Sequence, residues 1–189
     1  ELRDYYNELT LRFKKDWNVE FRAYNDGIAY RFVSRSKKPF NVVDETVDYR
    51  FPSDMVASVP YVKAGKDGDY ESQYFNSFEN TYTTDRLSKL NKKRLMFLPL
   101  VVDAGEGVKI CITESGLENY PGLYLSAAEG EKRLTGQFAP YPKKTVQGGH
   151  NQLQMLVKER EAYIAKVDNP RSFPWRMSIV TTSDKDLAA

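Results

Sequence analysis

The sequence predicts an all-β sandwich. Aromatic residues make up 13% of the 189 residues, as 13 Tyr, 10 Phe and 2 Trp, and aromatic side chains favour pleated, half-buried surfaces. Short apolar runs with a two-residue alternation recur along the chain, with turn signals between them. The nine prolines are scattered, punctuating edges and turns and forming no Pro-rich linker.

Taken in order, residues 6–13 read as a strand with Leu9, Leu11 and Phe13 on one face. Residues 17–24 and 28–33 form the clearest hairpin, with Val19, Phe21 and Ala23 sharing one face of the first arm and Ile28, Tyr30 and Phe32 one face of the second. Two registers compete. An Asp26-Gly27 loop has the better turn chemistry, because Gly accepts positive φ, and sets Phe21 opposite Phe32, but it also sets Arg22 opposite Arg31. An Asn25-Asp26 loop sets Phe21 opposite Tyr30 and Glu20 opposite Arg31, curing the repulsion at the expense of the turn. The Asp26-Gly27 loop is preferred here.

Further strands are expected at 46–51, 55–62, 95–102, 108–113, 123–127, 134–138, 153–166 and 175–181. Between 95–102 and 108–113 the run Asp103-Ala104-Gly105-Glu106-Gly107 is a turn, making a second hairpin. The 153–166 stretch holds helix-forming residues, Lys158-Glu159-Arg160-Glu161-Ala162, but its β-rich surroundings favour a strand. The final residues, 183–189, are polar and then small, and read as the start of a linker beyond a domain at 1–182.

Composition narrows the function. The chain is long enough to bury a core without disulfides or metal; apolar residues at 41% and charged residues at 29% fit a globular protein. One cysteine, Cys111, excludes an internal disulfide framework and a Cys-rich zinc site. One histidine, His150, excludes a two-histidine metal site and reads as a surface residue. With 28 basic against 26 acidic residues, nucleic acid is not the expected partner. No apolar run reaches the roughly 18 residues of a membrane span, and Glu1-Leu2-Arg3-Asp4 is not the apolar core of a signal peptide.

The candidate chemistry is sparse. Glu114-Ser115-Gly116-Leu117-Glu118-Asn119-Tyr120-Pro121-Gly122 follows an apolar strand, and a carboxylate at a strand end before a Gly-containing loop can face a ligand or a hard cation; it equally suits a solvated turn. Asp67, Asp69 and Glu71 alternate around Gly68 without the spacing of a calcium loop, and read as a flexible polar loop. Lys89, Lys92, Lys93 and Arg94 lie near Tyr82 and Phe97 but are offset by Glu79 and Asp85, giving a solvated face. Cys111 is a core thiol within an apolar strand. Trp175 could stack on a sugar but equally packs a core. No catalytic constellation emerges from spacing.

Four stretches together resemble the N-terminal domain of glycoside hydrolase family 97. They are Tyr6-Asn7-Glu8-Leu9, Phe21-Arg22-Ala23-Tyr24-Asn25-Asp26-Gly27-Ile28-Ala29-Tyr30-Arg31-Phe32, Ile112-Thr113-Glu114-Ser115-Gly116-Leu117-Glu118-Asn119-Tyr120-Pro121-Gly122-Leu123-Tyr124-Leu125, and Arg171-Ser172-Phe173-Pro174-Trp175-Arg176. The resemblance implies an all-β fold, a β-super-sandwich of two packed, mostly antiparallel sheets, with further strands before the Tyr6 stretch. It implies a periplasmic, exo-acting α-glucosidase or α-galactosidase whose catalytic carboxylates lie on a separate (β/α)8 barrel, so that this segment alone is inactive. Its partners would be that barrel, within the same chain, and an α-linked oligosaccharide, with no nucleic acid and no membrane span. The cofactor implied is calcium, held mostly by barrel glutamates, with Glu114 as the ligand from this domain and Glu118 as the alternative. A rival reading is a free-standing sugar-binding module using aromatics such as Trp17 or Trp175.

Overall fold

A computed structural model of the chain describes residues 5–74, 76–128 and 132–188; the N-terminal tetrapeptide considered above lies outside the described residues. The strands are β1 (Asn7–Arg12), β2 (Trp17–Tyr24), β3 (Gly27–Ser34), β4 (Phe40–Val42), β5 (Asp48–Arg50), β6 (Val56–Val59), β7 (Thr83–Arg86), β8 (Leu100–Gly105), β9 (Val108–Ser115), β10 (Tyr124–Ala127), β11 (Arg133–Gln137), β12 (Pro142–Gly148), β13 (Gln154–Arg160), β14 (Ala165–Val167), β15 (Arg171–Ser172) and β16 (Trp175–Thr181). The main sheet runs β1-β2-β3-β16-β9-β8-β6-β7, with β15 beside β3; smaller sheets are β10-β11-β5, β12-β13 and β14-β4. The pairings are antiparallel, and the fold is the β-sandwich expected.

The core lies between the β6–β8–β9 half of the main sheet and the β10–β11–β5 sheet. Ala57, Val59, Leu100, Val102 and Ile112 face Leu125, Ala127 and Leu134, and Leu87, Leu90 and Met96 close the layer. Alternation explains the strands that were foreseen: in β8, Leu100 and Val102 are fully buried while Asp103 is exposed, which is the period-2 pattern of a strand with one face inward. The strands not foreseen are polar or very short. Thr83-Thr84-Asp85-Arg86 ends the main sheet as β7, and among the described residues Pro142–Gly148 pairs only with β13; edges carry little apolar signal because one row of their backbone groups faces away from the sheet.

The first hairpin, the 95–102 strand and the 153–166 stretch need correction. The first hairpin adopts the Asn25-Asp26 loop: Phe21 pairs with Tyr30, Glu20 with Arg31 and Tyr24 with Gly27. Two contacts outweigh the turn chemistry. Arg31 Nε donates to Glu20 Oε2 at 2.7 Å, and Gly27 sits in the strand against β16, where a Cβ would lie 2.5 Å from the Ser178 carbonyl oxygen. The glycine is there for close backbone approach, not for positive φ. The strand expected at 95–102 begins at Leu100; upstream, Met96 makes isolated bridges to Tyr61 and Leu125. The 153–166 stretch is extended but broken, into β13 and β14. Residues of the expected linker form the 3-10 turn Asp184–Ala188, tied back by a Lys109–Asp184 ion pair and by Thr181 Oγ1 donating to Asp186 at 3.2 Å.

The β1–β3 half of the main sheet is only partly covered. Leu9, Leu11, Phe13, Phe21 and Ile28 remain exposed, Leu9 at 57% and Ile28 at 61%. A contiguous apolar surface with an open strand edge favours association. The isolated chain is therefore expected to self-associate as its concentration rises, and Leu9→Lys with Phe21→Lys to suppress this; light scattering that shows a monomer at millimolar concentration in the unsubstituted chain would contradict the expectation.

Candidate functional site

The registers align one row of side chains across five strands: Leu9, Phe21, Tyr30, Arg176 and Glu114. The row begins apolar and exposed and ends charged, with Arg176 buried and Glu114 partly buried. Its fourth member, Arg176, is 1% exposed and meets Glu45, 7% exposed, through a two-pronged contact: Nε donates to Oε1 at 2.8 Å and Nη2 to Oε2 at 2.7 Å. Tyr120 Oη donates to the same Glu45 Oε2 at 2.9 Å, and the Phe138 ring lies 5.2 Å from the guanidinium carbon. The remaining prong of Arg176, Nη1, donates to Glu114 Oε2. Glu114 Oε1 accepts the Leu123 N–H at 2.9 Å.

Glu114 is thus held on both oxygens. It stands near the end of β9, paired across the sheet with Arg176 on β16, and it lines a cavity of about 430 Å³ with Tyr74, Phe97, Leu117, Gly122 and Tyr124. Burial lifts its carboxyl above the usual carboxylate range, against the opposing pull of the Leu123 N–H and the Arg176 charge. For Arg176, burial pulls downward, but the hydrogen bonds and charge of Glu45, with Glu114, hold the guanidinium above its ordinary value. Burial and then Glu45 raise the Tyr120 phenol. By formal count, the carboxylates of Glu45 and Glu114 against the one guanidinium of Arg176 leave one negative charge in excess.

That arrangement can offer one ligand to a hard cation. Each carboxylate oxygen has two lone pairs, so Glu114 retains acceptor capacity beside its two hydrogen bonds. Glu45 has less to give, since Oε2 already takes two donors. Calcium takes 6–8 oxygens, and among the described residues no group of three or more His, Cys, Asp or Glu could hold a metal. The residues fit a shared calcium site, with Glu114 as one ligand, and do not fit a self-contained one.

Glu118 is placed differently. It is exposed, its carbonyl oxygen accepts from Arg171 Nη2 at 2.5 Å, and it borders a separate groove with Tyr141, Arg160 and Lys166. The carboxylates of the 67–71 loop are turned to separate partners: Asp67 pairs with Arg94 at 2.5 Å, Glu71 with Arg160 at 2.6 Å, and the Asp69 carboxylate accepts the Ser72 N–H at 3.3 Å. Arg94 also donates to the carbonyls of Val62, Lys63 and Ala64, which removes it from any basic patch. Cys111 is buried, and burial raises its thiol; His150 is exposed. Trp17 stacks on Phe173 at 5.6 Å and meets Phe40 edge-on. Trp175 lies against the guanidiniums of Arg22 at 4.7 Å and Arg31 at 4.3 Å.

Sequence reasoning missed Arg176, Glu45 and Tyr120 as one cluster, and it missed Gln73. Gln73 is fully buried; its Nε2 donates to the carbonyls of Lys66 and Lys93 and its Oε1 accepts the Leu95 N–H. The available signal for Arg176 was an arginine inside the apolar run Trp175-Arg176-Met177-Ser178-Ile179-Val180, because a charge in a buried strand requires a partner.

The fold and site define an antiparallel β-sandwich domain with a buried charge cluster and one carboxylate facing a cavity. The chain belongs to the glycosyl hydrolase 97 N-terminal family, whose profile matches residues 1–189. It is 81% identical over 189 residues to a retaining alpha-galactosidase of Bacteroides thetaiotaomicron, covering the whole of this chain and 28% of that protein. Among solved structures, a glycoside hydrolase family 97 enzyme in complex with acarbose, from Pseudoalteromonas sp. strain K8, superposes with a TM-score of 0.63 at 14% identity, over 97% of this chain and 27% of that one. A beta-arabinopyranosidase crystal structure superposes with a TM-score of 0.64 at 18% identity, over 88% of this chain and 25% of that one. The chain therefore spans little more than a quarter of the length of these relatives, and the structural likenesses speak to fold.

Proposed function

We propose that this chain is the non-catalytic N-terminal β-sandwich of a periplasmic, calcium-dependent, exo-acting α-glycosidase. In this reading it packs on the catalytic barrel, walls one side of the sugar pocket and supplies Glu114 to a calcium ion. The observation that carries the reading is the state of Glu114. It is a carboxylate at a strand end, facing a cavity, in a cluster of two carboxylates and one guanidinium that has one negative charge in excess. A cation completed by oxygens from another domain would balance that charge, and affinity for calcium tracks ligand charge and site rigidity. The retaining alpha-galactosidase at 81% identity favours α-galactosides as the substrate class.

Catalysis is assigned elsewhere. Glycoside hydrolysis needs two carboxyl groups flanking the scissile bond, and the two brought together here, Glu45 and Glu114, are both engaged by Arg176. The rival module with exposed stacking aromatics finds less support, because Trp17 packs on Phe173 and Trp175 takes two guanidiniums.

The test uses the intact enzyme and the isolated chain side by side. After chelation, activity on a nitrophenyl α-galactoside is followed across a calcium titration. Glu114→Gln is expected to move the calcium midpoint upward and lower turnover, and Glu118→Gln to leave both near the parent values. The isolated chain is expected to show no turnover above a vector control and only feeble binding of galactose or maltose, since half a pocket buries too little of a ligand. Low-micromolar sugar binding by the isolated chain would favour the free-standing module instead.

A further inference from the structure

We infer that Arg176 is a positioning residue for Glu114, with Glu45 as the clamp that fixes Arg176. The inference rests on the reading of Glu114 as a calcium ligand and adds what holds that ligand in place. Arg176 presents three donors in one plane. Two are taken by Glu45 in a fork at 2.8 and 2.7 Å, which fixes the plane; the third then meets Glu114 Oε2. Tyr120 Oη, from the loop after β9, braces Glu45 from another side at 2.9 Å. The Leu123 N–H holds the other Glu114 oxygen at 2.9 Å. Glu114 is therefore oriented at both oxygens by groups that are themselves fixed.

Such a clamp matters for an ion shared between domains. A ligand supplied from outside the main site helps only if it arrives already oriented, and partners one bond away from metal ligands are worth roughly 10–100-fold in metal affinity. A lysine at the same place would keep the charge but not the geometry, because an ammonium is a point charge with no fixed fork. Arg176 also repels a cation simply by its charge. Removing that charge would by itself tighten calcium, whereas losing the clamp weakens it, so the two effects differ in sign.

The experiment measures calcium binding by equilibrium dialysis in the intact, chelated enzyme, below the unfolding range of each variant. Glu114→Gln serves as the reference. Arg176→Lys, which conserves charge, is expected to weaken calcium by about 10–100-fold. Glu45→Asp, which conserves every charge and withdraws the clamp by one methylene, is expected to weaken it in the same direction; it carries the test if Arg176→Lys fails to fold. Unchanged or tighter calcium binding in these variants, with Glu114→Gln still weakened, overturns the positioning role while leaving Glu114 as a ligand. Unchanged binding in Glu114→Gln overturns both.

Discussion

Arg176→Met is expected to destabilise the isolated chain by about 3–5 kcal/mol, the cost of breaking a buried ion pair by removing one partner. The magnitude follows from what is left behind. Arg176 is 1% exposed and Glu45 7%; without the guanidinium, two carboxylates lie close together in a poorly solvated place with one tyrosine and one backbone N–H between them. Glu114→Gln is the control. It keeps the Arg176–Glu45 pair, removes the excess negative charge and retains a hydrogen-bonding oxygen, so its cost is expected to be about 1 kcal/mol. Adding Glu45→Gln and Glu114→Gln to Arg176→Met should recover part of the loss, because no buried charge then lacks a partner. Urea unfolding with an unchanged slope measures all four proteins. Equal stabilities for Arg176→Met and the parent chain would mean that water reaches the cluster.

Gln73→Leu is expected to cost about 1–3 kcal/mol, for a different reason. Its side-chain amide pairs three backbone groups that no strand ladder reaches, the carbonyls of Lys66 and Lys93 and the N–H of Leu95. Leucine fills a similar volume but leaves the Leu95 N–H unpaired and strips one donor from each carbonyl, which keep the Asp69 and Gly68 N–H groups; a buried unpaired polar group costs its full desolvation. The loop around residues 65–73 should loosen first, so hydrogen exchange at Leu95 is expected to quicken beyond what the loss of global stability explains.

The fold was largely legible in the residues, because a strand with one face in the core shows itself by alternation: Leu100 and Val102 inward with Asp103 outward, or Leu125 and Leu134, on the neighbouring strands β10 and β11, both turned to the core. β7 and β12 escaped detection because edge strands need no apolar face. The first hairpin shows a more instructive limit. Its two registers were both visible, and turn chemistry pointed to one; the other won through Glu20–Arg31 and through the seat of Gly27 on β16, a strand about 150 residues further along the chain, at a separation where loop-closure entropy gives no local signal. The site divides in the same way. Glu114 stood out by its place at a strand end, whereas Glu45 and Arg176 are 131 residues apart, and nothing local in Asp44-Glu45-Thr46 distinguishes that glutamate from a solvated one.

Reading Glu114 as an oriented ligand also changes what its removal should mean for the fold. A carboxylate that simply projected from a strand end would matter only to the ion. Here it also accepts the Leu123 N–H that leads into β10 and takes the third prong of Arg176. Glu114→Ala is thus a poorer probe of metal binding than Glu114→Gln, because it mixes loss of the ligand with loss of a backbone tether.

The most direct measurement is a long-wavelength anomalous difference map from crystals of the intact enzyme grown with calcium. A peak within about 2.3–2.6 Å of a Glu114 carboxylate oxygen, the ordinary calcium–oxygen distance, with the remaining oxygens from another domain, is the expected result. A calcium peak coordinated by Glu118 instead, or a fully coordinated calcium elsewhere with Glu114 bound only to Arg176 and Leu123, would contradict it.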